Sequence, residues 1–143
     1  LPLRVERQCR NALLVAGWLK QHPRVERIHF PGDAEHPDRD IAQRLLALSE
    51  DGHAQFGGVL SFEIKNAGKA EVFTIIDRLQ LIVRATSLGD VHSMILYPAM
   101  SSHRDLAPKH RLRLGIGENL LRLSVGIEDP QDVIADLEQA LDS

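Results

Sequence analysis

Arg122 is the side chain in this sequence with the clearest potential to bind an anion. It lies in the run 119–127, where three apolar residues alternate with other residues: Leu121, Leu123 and Val125. A period of two predicts a strand that buries these residues on one face and leaves Arg122 on the other. A guanidinium group forms two parallel hydrogen bonds with a carboxylate, so Arg122 has the chemistry of a carboxylate clamp. The alternative is an arginine on a solvated sheet face, the commoner outcome for a lone arginine.

A second candidate for anion binding is the segment Ser87-Leu88-Gly89, which follows a predicted strand over 81–86. Ser87 offers a hydroxyl, and Gly89 allows the backbone to approach a ligand, so that peptide N–H groups after Ser87 can reach it. Small residues also begin ordinary loops, and the segment alone leaves both interpretations open. It starts an irregular stretch, 87–108, in which we expect at most one helical turn near 92–96. A loop this long inside a domain is usually functional or poorly ordered.

The other reactive residue types favour structural roles. The 7 histidines include no pair at metal-ligand spacing with a helper carboxylate, so we expect no metal site and place most of them on the surface. A basic cluster lacks interleaved aromatics, which favours a solvated loop or subunit contact over a nucleic-acid surface. Its members are His103, Arg104, Lys109, His110, Arg111 and Arg113. Cys9 is the only cysteine, which excludes an internal disulfide and fits a reducing compartment.

Length and composition narrow the class of protein. The chain has 143 residues, of which 43% are hydrophobic and 26% charged, as expected for one globular domain. A formal charge of -3 gives no field that would attract nucleic acid or an anionic membrane. No apolar stretch approaches the roughly 20 residues of a membrane span. We therefore predict a cytoplasmic protein with neither nucleic acid nor membrane as partner.

The elements that must position these side chains follow from hydrophobic periodicity. Helices are predicted over 3–21, 38–49, 67–79 and 130–142, with a short helical piece near 109–114, and strands over 25–30, 57–64, 81–86 and 119–127. Nothing repeats internally and no linker divides the chain. This order predicts a single α/β domain, a two-layer sandwich of the α+β kind with its helices mostly on one face of a small sheet.

Details of these elements are also predictable. In the first helix, Gln8 falls with three arginines on the solvent side of the apolar stripe. The second helix carries a stripe of Ile41, Leu45 and Leu48. Asn66 is predicted to cap the third helix, and Asp129, followed by proline, to cap the last.

Several segments, taken together and in order, resemble the C-terminal domain of the pyridoxal-phosphate (PLP) enzymes of cysteine and methionine metabolism. This family includes cystathionine γ-synthase, cystathionine γ-lyase and methionine γ-lyase. The most specific segment is Leu-Arg-Leu-Ser-Val-Gly-Ile-Glu-Asp at 121–129, with Ser-Leu-Gly-Asp at 87–90. Leu-Pro-Leu-Arg-Val-Glu-Arg at 1–7, His-Phe-Pro-Gly at 29–32 and Phe-Gly-Gly-Val-Leu-Ser-Phe at 56–62 fit the same alignment. The likeness implies a small, mainly antiparallel sheet, as in the C-terminal domain of fold-type I PLP enzymes.

The resemblance also implies roles for residues. Arg122 is similar to the arginine that grips the α-carboxylate of the substrate amino acid, and Ser87 to the serine that helps to hold it. Thr86 and Leu88 are further substrate-binding candidates. In the complete enzyme the cofactor serves as electron sink, a lysine moves protons, and elimination or replacement occurs at the β or γ carbon.

The same resemblance places PLP in a larger upstream domain that this sequence lacks. The lysines, Lys20, Lys65, Lys69 and Lys109, match no cofactor-lysine segment, so no catalytic, cofactor-binding or metal-binding residue is expected here. Residues 1–143 would form one C-terminal domain, inactive alone, with 1–22 as the long helix continuing from the large domain. The full-length protein would be a family-like homotetramer.

The exact reaction stays open at this point. Ser-Leu-Gly-Asp leans toward a γ-lyase acting on methionine or cystathionine, while His92 stands where many members carry glutamate. A γ-synthase or an O-acyl-homoserine sulfhydrylase is the alternative within the family. A stand-alone interaction domain that kept the fold and lost the chemistry is the alternative outside it.

Overall fold

The fold is an α/β arrangement of five strands and five α-helices among the residues that the computed structural model describes, 1–46, 52 and 55–142. The helices are α1 (Pro2–Gln21), α2 (Arg39–Leu45), α3 (Lys69–Arg78), α4 (Pro108–Arg113) and α5 (Pro130–Leu141). The strands are β1 (Val25–His29), β2 (Val59–Ile64), β3 (Val83–Arg84), β4 (Met94–Leu96) and β5 (Leu120–Ser124). A short 3-10 turn, Pro98–Met100, follows β4.

One sheet contains all five strands, in the order β1-β2-β5-β4-β3. The pairs β1/β2, β2/β5 and β5/β4 are antiparallel, and only β3/β4 is parallel. The predicted mainly antiparallel sheet is therefore confirmed. Because β5 lies at the centre although it is the last strand in the chain, the sheet is complete only when the C-terminal segment joins it.

The long helices share one face of this sheet. Helix α1 packs on β1, β2 and α5, and α5 packs on α3. In β2 the residues Leu60, Phe62 and Ile64 are buried while the alternate residues are half-buried. This confirms the two-layer prediction, and we call the other side, on which Arg122 lies, the open face.

Local sequence explains where the helices begin and end. Pro2 opens α1, and His22 ends it in an extended conformation before Pro23. The Asp129 side chain accepts a hydrogen bond from the Gln131 N–H, with Pro130 at the first helical position, as predicted. The predicted Asn66 cap is wrong, because α3 begins after Gly68, whose N–H donates to the Glu71 side chain. Asn66 instead adopts a left-handed conformation with φ of 53°.

Three other elements differ from the prediction. The strand expected over 81–86 is only Val83–Arg84, and the helical turn expected near 92–96 is instead the strand β4. Helix α2 is shorter than 38–49, and its residues Ile41 and Leu45 are exposed rather than buried. Leu48 lies outside the described residues.

Candidate functional site

Arg122 lies on the open face at the middle of the sheet. It pairs with Ser61 of β2 on one side and with Leu96 of β4 on the other. Its neighbours along β5, Leu121 and Leu123, are fully buried on the helix face. The alternation read from the sequence is thus confirmed, and the Arg122 side chain is half-buried.

The guanidinium group is held by backbone carbonyls. Its Nη2 donates to the Ser87 oxygen at 3.1 Å and is 3.4 Å from the Thr86 oxygen. Among the described residues, Nε and Nη1 have no hydrogen-bond partner, so they remain to bind an anion. The structure thus places the candidates Thr86 and Ser87 beside Arg122, with the contacts made through their backbone carbonyls. The Ser87 hydroxyl is exposed and makes no hydrogen bond to a described residue, and Leu88 is exposed beside it.

The segment between β3 and β4, residues 85–93, carries Thr86 and Ser87 and crosses the sheet; we call it the crossing segment. It leaves β3 on one side of β4 but makes hydrogen bonds to β5 on the other side. Met94 and Leu96 pair with Ser124 and Arg122, so they point to the same open face, yet each is only 6% exposed. The crossing segment therefore passes over β4 beside Arg122 and gives that residue its backbone partners.

Two of the N–H groups after Ser87 already have partners, whereas those of Leu88 and Asp90 have none among the described residues. The Gly89 N–H donates to the Ser124 hydroxyl at 2.9 Å, and the Val91 N–H donates to the Asp90 side chain. Gly89 has φ of +76°, a conformation that costs glycine little. From the sequence, Gly89 is expected to let the backbone approach a ligand. In the structure it instead forms a turn whose N–H reaches Ser124 of β5.

Gln8 is not on the solvent side of α1, contrary to the sequence prediction. It is 6% exposed, and its Nε2 donates to the Asp90 carbonyl at 2.6 Å. Asn11, one turn further, is 1% exposed and donates to the carbonyls of Gly126 and Glu128. One face of α1 thus carries two amide side chains that bind the loop at Asp90 and the residues after β5. These segments cover that face of the helix, so the amides are buried.

A second set of contacts fixes the far end of the crossing segment. The Glu128 carboxylate accepts hydrogen bonds from the backbone and the hydroxyl of Ser93, and that hydroxyl accepts from the Gly126 N–H at 2.9 Å. A Cβ on Gly126 would lie 2.2 Å from the Val91 oxygen. The close approach requires glycine at position 126.

Two cavities accompany these elements. One of about 640 Å³ lies between the end of α1 and β1, is lined by charged residues such as Lys20 and Asp33, and includes none of the predicted site residues. The other, of about 550 Å³, is lined by Thr86, Ser87 and apolar residues that include Leu96. Arg122 does not line this second cavity, which therefore only adjoins the segment whose carbonyls hold the Arg122 guanidinium.

The remaining candidates have structural partners. His22 is buried and contacts Asp142 at 3.1 Å, so it is an exception to the predicted surface histidines, and His53 lies outside the described residues. In the basic cluster, Arg111 is buried and donates to the Leu106 carbonyl, so the cluster is only partly solvated. Among residues 1–46, 52 and 55–142, no group of His, Cys, Asp and Glu could hold a metal ion. No described helix is long and apolar enough to cross a membrane.

The sequence profile of the Cys/Met metabolism PLP-dependent enzyme family matches residues 1–142. The chain belongs to this family. It is 39% identical over 140 residues to the L-methionine gamma-lyase of Fusobacterium nucleatum subsp. polymorphum, covering 98% of this chain and 33% of that protein. It is 40% identical to the cystathionine beta-lyase of Coxiella burnetii, covering 99% of this chain and 34% of that protein. The chain therefore spans about a third of the length of these relatives.

A solved structure of this family has the same fold. The cystathionine gamma-lyase of Micromonospora echinospora superposes with a TM-score of 0.85 at 38% identity, over 99% of this chain and 35% of that one. Structural neighbours of the chain are thus fold-type I PLP enzymes, and the predicted fold class is confirmed.

Three of the lysines have partners among the described residues. Lys20 is paired with Asp33 at 2.7 Å, and this hydrogen bond raises the pKa of Lys20. Lys65 donates to the Pro23 carbonyl, and Lys69 lies over the Phe73 ring. The cofactor of the family supplies an electron sink when bound, and the positive charge of Arg122 suits an anionic group.

Proposed function

We propose that this chain is the substrate-carboxylate-binding part of a PLP-dependent enzyme that acts on a sulfur amino acid, with Arg122 and Ser87 at the α-carboxylate. One observation carries the proposal. The Arg122 guanidinium is half-buried on the open face and fixed through Nη2 to backbone oxygens. A guanidinium held in this way pays little entropy to bind a planar carboxylate, since its orientation is already set.

The residues around Arg122 cover part of the surface beside its guanidinium. The crossing segment covers the sheet on one side, and Leu96 pairs with Arg122 on β4. This partly dry setting strengthens a charge-assisted hydrogen bond. Orientation of the carboxylate also orients the α carbon, which is the purpose of a clamp in catalysis. Thr86 and Leu88 flank Ser87 and are proposed to contact the substrate.

The wider proposal follows the family. Residues 1–143 form one C-terminal domain, and α1 continues from a larger PLP-binding domain. The enzyme is a cytoplasmic homotetramer and a γ-lyase that acts on methionine or cystathionine, with γ-synthase or sulfhydrylase activity as the alternative. Similarity to proteins named L-methionine gamma-lyase supports the γ-lyase assignment. Light scattering of the full-length protein tests the tetramer.

The proposed clamp is tested by Arg122→Ala and Arg122→Lys in the full-length, PLP-loaded protein. L-Methionine and L-cystathionine are assayed for release of the α-keto acid. We expect kcat/KM to fall by the equivalent of about 2 to 4 kcal/mol for alanine, with lysine between alanine and wild type because it keeps the charge and loses the fork. Melting temperatures should change little, since Arg122 is not among the buried core residues.

The matched control is Arg27→Ala, an exposed arginine on the same sheet but on the edge strand β1. It should keep wild-type kcat/KM. Near-normal kcat/KM in Arg122→Ala, or a loss explained by unfolding, would contradict the clamp. Turnover of O-acyl-homoserine with a thiol, in the absence of α-keto acid release from either amino acid, would replace the γ-lyase assignment by the alternative.

A further inference from the structure

The 86–90 loop, the part of the crossing segment from Thr86 to Asp90, has exposed residues throughout and no regular secondary structure. It nevertheless supplies both carbonyls that hold Arg122. A loop of this kind is ordered only by the contacts that other elements make with it. The geometry of the carboxylate site therefore depends on what fixes this loop.

Two side chains fix it from different elements. The Ser124 hydroxyl accepts a hydrogen bond from the Gly89 N–H at 2.9 Å, and the Gln8 Nε2 donates to the Asp90 carbonyl at 2.6 Å. Both side chains are almost completely buried, with residue exposures of 2% for Ser124 and 6% for Gln8. Their burial makes these hydrogen bonds more stabilising than surface contacts to the same loop would be.

The placement of Ser124 links it directly to Arg122. The two residues are two positions apart on β5, so their side chains lie on the same face of the sheet. Arg122 contacts the first two residues of the loop and Ser124 contacts its fourth residue, Gly89, so the strand and loop form a closed set of contacts. Gln8, which lies on α1, holds the next residue of the loop, Asp90, through its carbonyl.

We infer that Ser124 and Gln8 are positioning residues for the carboxylate site: they hold the 86–90 loop so that its carbonyls orient the Arg122 guanidinium. This inference rests on the proposed function of Arg122. Neither side chain needs to touch the substrate. Loss of either should loosen the orientation of the guanidinium, and so weaken recognition of a carboxylate while other substrate contacts are kept.

The test uses full-length, PLP-loaded protein and two probes, L-norleucine and L-norleucinamide, whose Kd values are measured by calorimetry. L-Norleucine carries the α-carboxylate together with a side chain of methionine length that contains no sulfur. In L-norleucinamide the carboxylate is replaced by a neutral amide. The ratio of the two Kd values measures recognition of the carboxylate. Wild type should prefer L-norleucine, and Arg122→Ala should abolish the preference. If either expectation fails, the proposed function is wrong and the inference fails with it.

The inference itself is tested by Ser124→Ala and Gln8→Met, each alone and combined with Arg122→Ala. Each single change should weaken L-norleucine binding about three- to tenfold, the equivalent of one hydrogen bond, with little effect on the amide. In the Arg122→Ala background the same change should alter Kd less than twofold, because the group being positioned is gone. Ser124→Thr, which keeps the hydroxyl, should restore most of the affinity.

Thr74→Ala is the control, since the Thr74 hydroxyl bonds only to Ala70 within α3. Amide hydrogen exchange in the peptide that covers 86–91 should rise in Ser124→Ala and Gln8→Met and stay unchanged in Thr74→Ala. Equal losses of affinity with and without Arg122, unchanged exchange, or full affinity in both single variants would overturn the positioning role while leaving the proposed function of Arg122 intact.

Discussion

At the scale of single residues, the backbone partners of Arg122 orient its side chain in the way that the proposed clamp requires. Its backbone partners come from residues 35 and 36 positions earlier in the sequence. These partners are neutral carbonyls, so they orient the guanidinium without neutralising its charge. A carboxylate from the same direction would have formed an ion pair and competed with the substrate.

Gly126 gives a prediction about stability. Gly126→Ala should lower the free energy of unfolding by about 1 to 3 kcal/mol, because the new Cβ would meet the Val91 oxygen at 2.2 Å and the His92 carbonyl carbon at 2.6 Å. Gly17→Ala is a matched control in α1, where nothing lies within 4 Å, and it should stabilise by about 1 kcal/mol through helix propensity. Denaturant unfolding of both variants measures the difference, and equal effects would contradict it.

Cys9 gives a prediction about reactivity. Burial raises the pKa of the Cys9 thiol, which is 7% exposed, so little thiolate is present near neutral pH. Alkylation by iodoacetamide at pH 8, followed by mass spectrometry of the Cys9 peptide, should be at least about tenfold slower in native than in denatured protein. Equal rates would show that the thiol is accessible.

The same shift has a consequence for stability against pH. Since the folded thiol holds its proton more tightly than the unfolded one, its contribution to stability is complete below the unfolded pKa and is lost as pH rises through the folded pKa. Cys9→Ala should therefore flatten the fall in stability above about pH 8.5. Unfolding curves between pH 7 and pH 10 check this, and an unchanged slope would count against it.

At the scale of elements, Asp136 of α5 ties the helix layer to the start of β3. Its carboxylate accepts the N–H groups of Gln80, Leu81 and Ile82 at 2.8 to 2.9 Å. Asp136→Asn places an amide N–H₂ against one of these donors and should cost about 2 to 3 kcal/mol. Asp132→Asn, in the exposed first turn of the same helix, should cost at most about 1 kcal/mol. Denaturant unfolding distinguishes them, and equal costs would show that Asp136 is not a special acceptor.

The elements also show what periodicity predicts. The strand β5 and the cap at Asp129 were predictable, because each pattern is local: β5 alternates with the period of a strand, and the cap residue directly precedes Pro130. The strand β4 was not, since all three of its residues are buried and a run without alternation has no strand signature. The predicted burial of Ile41 and Leu45 in the second helix is also wrong, because apolar spacing does not say whether a helix has a surface to pack against.

At the scale of the whole molecule, the site could be predicted only in part. Arg122 and Ser87 were found from the strand pattern and the family likeness. Gln8 was missed because its partner, Asp90, is 82 residues away and polar residues on α1 are ordinarily solvated. Contacts of such separation leave no periodic signal in the sequence, so loop-to-helix contacts have to be read from the structure.

The sheet order predicts a gradient of hydrogen exchange across the molecule. Amides of β5, which is paired on both sides and buried, should exchange slowest. Those of β3, an exposed edge strand of two residues, should exchange fastest among the strands. Hydrogen exchange with mass spectrometry checks this order, and protection of β3 equal to that of β5 would contradict it.

The central position of the last strand has a consequence for synthesis on the ribosome. The 86–90 loop leaves the exit tunnel well before β5, so its future partners Arg122 and Ser124 do not yet exist as structure. Until β5 emerges, the 86–90 loop has no strand with which to form its hydrogen bonds, and β4 has no antiparallel neighbour. The proposed carboxylate site therefore cannot assemble until β5 has emerged, and nascent chains that stall before residue 124 should leave Met94 and Leu96 exposed for chaperones to bind.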